Sequence, residues 1–267
     1  QTALIVGGIA IAISVQVFVG LLIDSLQAGL VEQTVGNSPQ VTVRSAEKNV
    51  TISRWEEMVT GIGSLTAVRH VGVSASGNAF VSKSNDSVPV VVRGLNSTAI
   101  DEVYRISGYL FQGRSIQGTG EVLIGGTLAD KLEVALGDRL QLGTPDGVVI
   151  DYQIVGIYDL GVAAIDGSWV VASLRTAQSL FGFGDRITSI EVTVNDVFEA
   201  DAVAADVAAL LNSDRLEITN WKAENGQLLS ALQSQSMSNN IIQAVIIVSV
   251  AIAIASLLSV SVLQKRR

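Results

Sequence analysis

The chain has 267 residues, of which 48% are hydrophobic and only 16% are charged. This composition is typical of a membrane protein. The net charge of −8 argues against a nucleic-acid partner, because an acidic protein repels polyanions. The sequence contains no cysteine, which excludes a disulfide framework and a cysteine-ligated metal site.

Two uncharged segments flank an acidic middle. The first covers Gln1–Ile23 and the second covers Asn225–Gln264. Their apolar stretches, Ala3–Ile23 and Ile241–Leu263, would extend about 31 and 34 Å as helices, enough to cross a hydrocarbon layer of about 30 Å. The sequence therefore predicts transmembrane helix 1 over residues 1–23 and transmembrane helix 2 over residues 241–263. Residues 1–23 lack the basic region and the cleavage site of a signal peptide, so we expect a retained helix.

The distribution of charge predicts the topology. All 25 acidic residues and 14 of the 17 basic residues lie between Asp24 and Glu224, and the remaining cations are Lys265, Arg266 and Arg267. Cations beside the end of a membrane span mark its cytoplasmic side. We therefore expect residues 264–267 to begin a cytoplasmic segment and the acidic middle to be extracytoplasmic. The predicted location is the plasma (inner) membrane, which would make membrane lipid a contact of the chain.

Small and polar residues in the predicted spans indicate helix packing. Such residues let two helices approach closely or exchange hydrogen bonds, and a mid-bilayer amide is costly unless it faces protein. The candidates are Gly8, Ala12 and Gln16 in the first span and Ala251, Ala255 and Ser259 in the second.

Periodicity in the middle predicts an α+β extracytoplasmic domain between two helical stalks. We expect stalk helices over residues 24–38 and 221–240, and the second places Leu228, Leu229 and Leu232 on one face as candidate coupling residues. Two βαβ-like halves, 39–95 and 187–220, predict an α+β porter-like subdomain. Residues 96–186 then form an inserted β-rich subdomain.

Local signals predict how three elements begin or turn. Ser53 and Glu56 have the spacing of a capping box and predict a helix through about Leu65. Thr144–Gly147 is typical of a hairpin turn, and Ser173 is a candidate cap for the next helix.

Residues suited to catalysis or cofactor binding are few. The one histidine, His70, lies in a strand pattern and is interpreted as structural or exposed. The segment Gly125–Lys131 lacks the spacing of a phosphate-binding loop. We therefore predict no catalytic, cofactor-binding or metal-binding residue, and no enzymatic activity in this chain.

Several ordered motifs resemble the extracytoplasmic domain of MacB/LolC/FtsX-like ABC transporter permeases. They are "GRSIQGTGEVLIGGTLADKLEVALGDRLQL" (Gly113–Leu142), "YQIVGIYDLGVAAIDGSWVV" (Tyr152–Val171) and "AQSLFG" (Ala177–Gly182). Two further motifs are most similar to the lipoprotein-releasing LolC/LolE branch. These are "VVVRGLN" (Val90–Asn96) and "WKAENGQLLSALQ" (Trp221–Gln233).

The resemblance implies a four-span permease of which this chain covers the first two spans and the domain between them. It implies two permease subunits, identical or different, and a separate cytoplasmic ABC ATPase that holds ATP and Mg. ATP hydrolysis would move the external domains through their stalks, a process called mechanotransmission. A lipoprotein or another amphiphile is the substrate that this branch implies, and the wider resemblance also fits the export of a lipid, a peptide or an antibiotic.

Two other classes of protein have the same layout or location. A sensor kinase or chemoreceptor also places an extracytoplasmic ligand-sensing domain between two membrane helices. A membrane-anchored hydrolase would need a nucleophile and a base, and we find no such pair in the sequence.

Overall fold

The computed structural model describes residues 14, 17–22, 25, 29, 35–83 and 86–265. The chain divides into two compact units. One comprises Gln1–Thr34 and Asn225–Arg267, and the other is Val35–Glu224. Within the described residues, no helix combines the length and the apolar content that crossing a membrane requires. The predicted spans therefore stay predictions, and most of the first lies outside the described residues.

Among its described residues, 35–83 and 86–224, the Val35–Glu224 unit contains ten strands and six short α-helices, and a long helix follows in the sequence. The strands are β1 (Val41–Ser45), β2 (Val68–Lys83), β3 (Asp86–Leu95), β4 (Leu110–Gly113), β5 (Glu121–Gly125), β6 (Arg139–Gly143), β7 (Val149–Tyr158), β8 (Trp169–Ser173), β9 (Ser189–Val194) and β10 (Leu216–Asn220). The α-helices are α1 (Trp55–Gly63), α2 (Gly126–Leu132), α3 (Ala163–Asp166), α4 (Leu174–Leu180), α5 (Ala200–Leu211), α6 (Trp221–Glu224) and α7 (Gly226–Lys265). Ala99–Val103 forms a π-helical turn, and Ile106–Tyr109 and Val197–Glu199 form 3-10 turns.

Two interleaved βαβ units form one end of the sheet. The strand order there is β10-β1-β9-β2, and every neighbouring pair is antiparallel. Each helix therefore connects two strands that are separated by a third, as in a ferredoxin-like fold. Apolar side chains of the strands and helices, including Val43, Ile190, Ile62 and Val207, are fully buried. This part of the domain confirms the prediction of an α+β fold built from two βαβ halves.

The other part of the sheet closes into a ring of six strands. The order β2-β3-β8-β5-β7-β6 returns to β2, because Phe80 and Val81 pair with Gly143 and Leu142 of β6. The ring encloses its own apolar core, whose fully buried members include Val92, Val122, Ile124, Leu142, Ile154 and Val170. Strand β2 belongs to both parts, since its first half pairs with β9 and its second half with β3. The predicted subdomain boundaries stay predictions.

The start of α1 differs from the predicted capping box. Arg54 occupies the cap position in the left-handed conformation, with φ of 52°, and no side chain caps the helix. Predictions for two other elements are confirmed. Ser173 accepts a hydrogen bond from the Thr176 backbone N–H, and Gly147, with φ of +86°, lies in the turn between β6 and β7.

Candidate functional site

A buried ion pair joins the two parts of the domain. Arg93 lies on β3 of the ring and Glu191 on β9, the strand between β1 and β2. The Arg93 Nη2 atom is 2.5 Å from Glu191 Oε1, and the two side chains are 12% and 2% exposed. Their positions differ by 98 residues in the sequence, so the contact depends entirely on the tertiary fold.

Aromatic side chains enclose the Arg93 guanidinium. Its carbon lies 4.6 Å from the ring centre of Trp169 and 5.3 Å from that of Tyr104, and Nη2 also donates to the Tyr104 hydroxyl at 2.5 Å. Burial alone would lower the pKa of Arg93. The nearby Glu191 carboxylate outweighs this effect, so the pKa of Arg93 is raised overall. Burial raises the pKa of Tyr104, which keeps its hydroxyl protonated. The cluster therefore holds the Arg93 cation beside a neutral Tyr104 hydroxyl.

The ion pair is incompletely satisfied by protein groups. Ser189 Oγ donates to Glu191 Oε1 at 3.0 Å. Among the described residues, Arg93 Nε, Glu191 Oε2 and Thr193 Oγ1 are buried and have no hydrogen-bond partner. Unpaired buried polar atoms are costly, so they reduce the net stabilisation that the ion pair provides.

Gln40 ties together the places where the chain enters and leaves the Val35–Glu224 unit. Its side-chain amide donates to the backbone oxygen of Val35 at 2.8 Å, and its Oε1 accepts from the Val194 N–H at 3.1 Å. The backbone oxygen of Gln40 accepts from the Trp221 N–H at 3.0 Å. Both chain ends of the domain are therefore fixed to strand β9 or its neighbour.

Trp221 anchors the exit point of the domain. Its side chain is buried, its Nε1 donates to the Val197 backbone oxygen at 2.6 Å, and its ring meets Phe198 edge to face. Lys222 adds an ion pair with Asp201 of α5 at 2.6 Å. Helix α7 begins two residues after α6 ends.

Glu121 accepts hydrogen bonds from several residues of the loop that precedes β5. Its carboxylate accepts two hydrogen bonds from Arg114, at 2.5 and 2.9 Å, and two from the backbone N–H groups of Gln117 and Gly118. The hydrogen bonds from Arg114 are the main cause that lowers the pKa of Glu121 to about 2. This loop contains the start of the longest family-like motif.

The predicted packing and topology residues fall partly outside the described residues. Gly8, Ala12, Gln16, Arg266 and Arg267 lie there. Helix α7 carries the remaining candidates, which are Leu228, Leu229, Leu232, Ala251, Ala255, Ser259 and Lys265. Ala251, Ala255 and Ser259 are spaced by four residues along one continuous helix, so they lie on the same side of it. The roles proposed for all of these residues stay predictions.

Side chains suited to catalysis are sparse in the described part of the chain. His70 Nε2 lies 3.5 Å from Glu102 Oε2 at a partly exposed position. No group of three or more metal-ligating side chains occurs among the described residues. One cleft of 740 Å³ is lined by two cations, Arg44 and Lys48, and two anions, Glu47 and Glu217. Its charges balance, so it shows no preference for an ion of either sign.

Sequence reasoning missed the Arg93–Glu191 pair. Each residue stands alone as a charge within a run that otherwise reads as a buried strand, "VPVVVRGL" for Arg93 and "SIEVTV" for Glu191. A charge inside such a run predicts a buried partner of opposite sign. The sequence offers 25 acidic residues as partners, so only the fold identifies Glu191.

Comparisons with known proteins agree with this architecture. The MacB-like periplasmic core domain family matches residues 2–210. The lipoprotein-releasing system transmembrane protein LolC of Neisseria meningitidis is 19% identical over 99% of this chain and 66% of its own length. The LolC protein of Xylella fastidiosa strain 9a5c is 27% identical over 60% of this chain and 41% of its own length. The chain thus spans less than two thirds of the length of these relatives.

Two solved structures share the fold. The periplasmic region of MacB from Actinobacillus actinomycetemcomitans has a TM-score of 0.52 at 14% identity and covers 74% of this chain and 95% of its own. The extracellular domain of the transporter YknZ from Gram-positive bacteria has a TM-score of 0.50 at 15% identity. The match covers 69% of this chain and 100% of the YknZ domain. This chain belongs to the MacB-like periplasmic core domain family. The predicted membership of the MacB/FtsX-like permeases, near LolC, is confirmed.

Proposed function

We propose that the chain belongs to a permease subunit of a MacB/LolC/FtsX-type ABC transporter. In this proposal Ala3–Ile23 and Ile241–Leu263 cross the plasma (inner) membrane, and Val35–Glu224 is the extracytoplasmic domain. A separate cytoplasmic ATPase, carrying ATP and Mg, drives a pair of identical or different permease subunits. The family match favours this function over a sensor kinase or chemoreceptor, whose external domain would only report a bound ligand.

The attachment of both chain ends to one sheet supports mechanotransmission. Gln40 bonds to Val35, where the chain enters the domain, and to Trp221, where it leaves. A displacement of either end is therefore applied directly to β1 and β9, and the Arg93–Glu191 pair passes it to the ring. Such an arrangement moves the domain as one body, which is what a mechanically driven machine requires.

The substrate that we propose is a lipoprotein or another amphiphile. The support is the name of the curated relatives, which are lipoprotein-releasing proteins in Neisseria and Xylella. Copurification of the full-length protein with its ATPase, followed by mass spectrometry of the bound molecules, tests both the partner and the substrate. Recovery of the permease without an ATPase, from membranes that contain both, would contradict the proposal.

Topology can be tested with single cysteines, since the sequence has none of its own. Ser87→Cys places a thiol at an exposed position of β3. We expect a membrane-impermeant maleimide to label this thiol in cells whose plasma (inner) membrane is intact and whose outer envelope lets the reagent through. A cysteine at Lys265 should react only after the membrane is opened. Labelling in the reverse order would overturn the proposed orientation.

A further inference from the structure

A second cleft opens between α1, the π-helical turn and α4. It has a volume of 460 Å³, within the range of about 300–1,000 Å³ typical of small-molecule sites. Such sites often form where two parts of a domain meet, and this one lies between the ferredoxin-like part and the ring. The cleft is distinct from the Arg93–Glu191 cluster, since neither residue lines it.

The walls of the cleft are mainly apolar. Five large apolar side chains line it, namely Trp55, Leu95, Ile100, Ile116 and Leu174. Leu95 and Ile100 are buried, while the other three are half-buried. The Trp55 indole is held in place because its Nε1 donates to the Asp185 backbone oxygen at 2.8 Å. This apolar wall suits a hydrocarbon chain.

One side of the cleft is polar and carries a single charge. Among the described residues that line it, Arg175 is the only charged one, and its side chain is exposed on α4. Ser97 adds an exposed hydroxyl to the same lining. Asn96 uses its Oδ1 to accept from the Val73 and Ala99 N–H groups, which leaves its NH₂ group as a donor. Arginine and neutral donors together favour an anionic headgroup.

We propose that this cleft binds a single-chain anionic amphiphile, with the hydrocarbon chain against Trp55, Ile116 and Leu174 and a carboxylate headgroup at Arg175. The cation selects the head, and the apolar wall selects the tail. Neither element alone would suffice, because an isolated exposed cation binds any anion weakly and an apolar surface binds any hydrocarbon. The ligand falls within the amphiphile class that we propose as the substrate, but the site is argued from the lining of the cleft and not from transport.

The test uses the whole chain in lipid nanodiscs and dodecanoate that carries a photoreactive diazirine. We expect crosslinks at Trp55, at Ile116 and in the segments 95–100 and 173–178, all of which line the cleft, and competition by plain dodecanoate. Arg175→Gln should weaken binding about five- to tenfold, because it removes the charge and keeps a polar side chain of similar length. Ser97→Trp should block the cleft by bulk. Arg139→Gln, an exposed arginine of β6 outside the cleft, is the matched control.

Each result decides the proposal. Equal competition by dodecanol would overturn the anionic headgroup, and so would equal losses in Arg175→Gln and Arg139→Gln. Crosslinks confined to other segments would overturn the site itself. Far-UV circular dichroism of each variant shows that the fold is retained. Since the readout is a mapped crosslink, a failure of this proposal leaves the transport proposal unaffected, and the reverse also holds.

Discussion

Arg93 and Glu191 form a buried ion pair, 2.5 Å between Nη2 and Oε1, that connects strand β3 of the ring with strand β9 of the ferredoxin-like part. Removing one partner leaves the other as an uncompensated buried charge. We expect Glu191→Gln and Arg93→Met each to lower the free energy of unfolding by about 3–5 kcal/mol. Chemical denaturation followed by circular dichroism measures this loss.

The double variant Arg93→Met/Glu191→Leu separates the role of the charge pair from that of the individual residues. Its loss should be much smaller than the sum of the single losses, because no charge remains buried alone. Asp201→Asn is the control, since Asp201 belongs to an exposed ion pair with Lys222, and it should leave the unfolding midpoint nearly unchanged. Additive losses in the double variant would show that the two residues act independently.

Because the pKa of Glu121 is lowered in the folded domain, we expect Glu121 to make the stability of the domain depend on pH. Its pKa in the folded domain is about 2, below the ordinary value of 4.5, chiefly because of Arg114. A lowered folded pKa contributes stability that is fully present above 4.5 and is lost as the pH falls towards 2. Glu121→Gln should therefore be less stable than the parent chain at pH 7, by about 1–2 kcal/mol.

The difference between the parent chain and Glu121→Gln should shrink between pH 4.5 and 3. Other carboxylates protonate in the same range and affect both chains alike, so the comparison isolates Glu121. Unfolding midpoints at four or five pH values suffice. A difference that stays constant down to pH 3 would mean that the Arg114 contact does not lower the pKa.

The sequence predicted the α+β class and several local elements because they depend on short-range patterns. Alternation of apolar residues defines β1 and β9, and the cap of α4 at Ser173 depends on a hydrogen bond three residues away. Pairings between distant strands have no such signal. The closure of the ring through Phe80 and Gly143 joins residues 63 positions apart, and only the folded chain reveals it.

The failed capping box shows how tertiary structure overrides a local motif. Ser53 and Glu56 have the required spacing, but Ile52 bridges to Ile187 and fixes the chain just before the helix. Trp55 is also held, through its indole bond to Asp185. Arg54 then adopts the left-handed conformation, and no side chain caps the helix. The two contacts with residues 185–187 therefore determine the backbone conformation at the start of the helix, and the capping motif does not.

The hydrogen bonds of Gln40 at the ends of the domain should be needed to couple ATP hydrolysis to substrate release. Gln40→Ala removes the amide contacts with Val35 and Val194 and leaves buried backbone groups without partners. We expect the free energy of unfolding to fall by about 2–3 kcal/mol. In the full transporter we expect substrate release to fall while ATP turnover persists. Gln227→Ala, an exposed position near the start of α7, is the control and should change neither.

The residues Leu228 to Leu232 of α7 provide the most direct test of rigid coupling. Helix α7 is continuous over 40 residues, from Gly226 to Lys265. Each glycine inserted into a helix costs about 1 kcal/mol and increases local flexibility. Two glycines inserted between Leu229 and Ser230 should therefore uncouple the ATPase from substrate release, while ATP turnover continues.

A matched insertion separates flexibility from added length. Two alanines at the same position lengthen the helix equally but keep it stiff, since alanine has the highest helix propensity. A further control places two glycines in the Thr144–Gly147 turn, far from α7 in the sequence. If rigid coupling is correct, the glycine insertion in α7 reduces release more than either control does. Equal release by the glycine and alanine variants would mean that stiffness of this segment is not required, and the chain would then have to signal through contacts other than its helical connection.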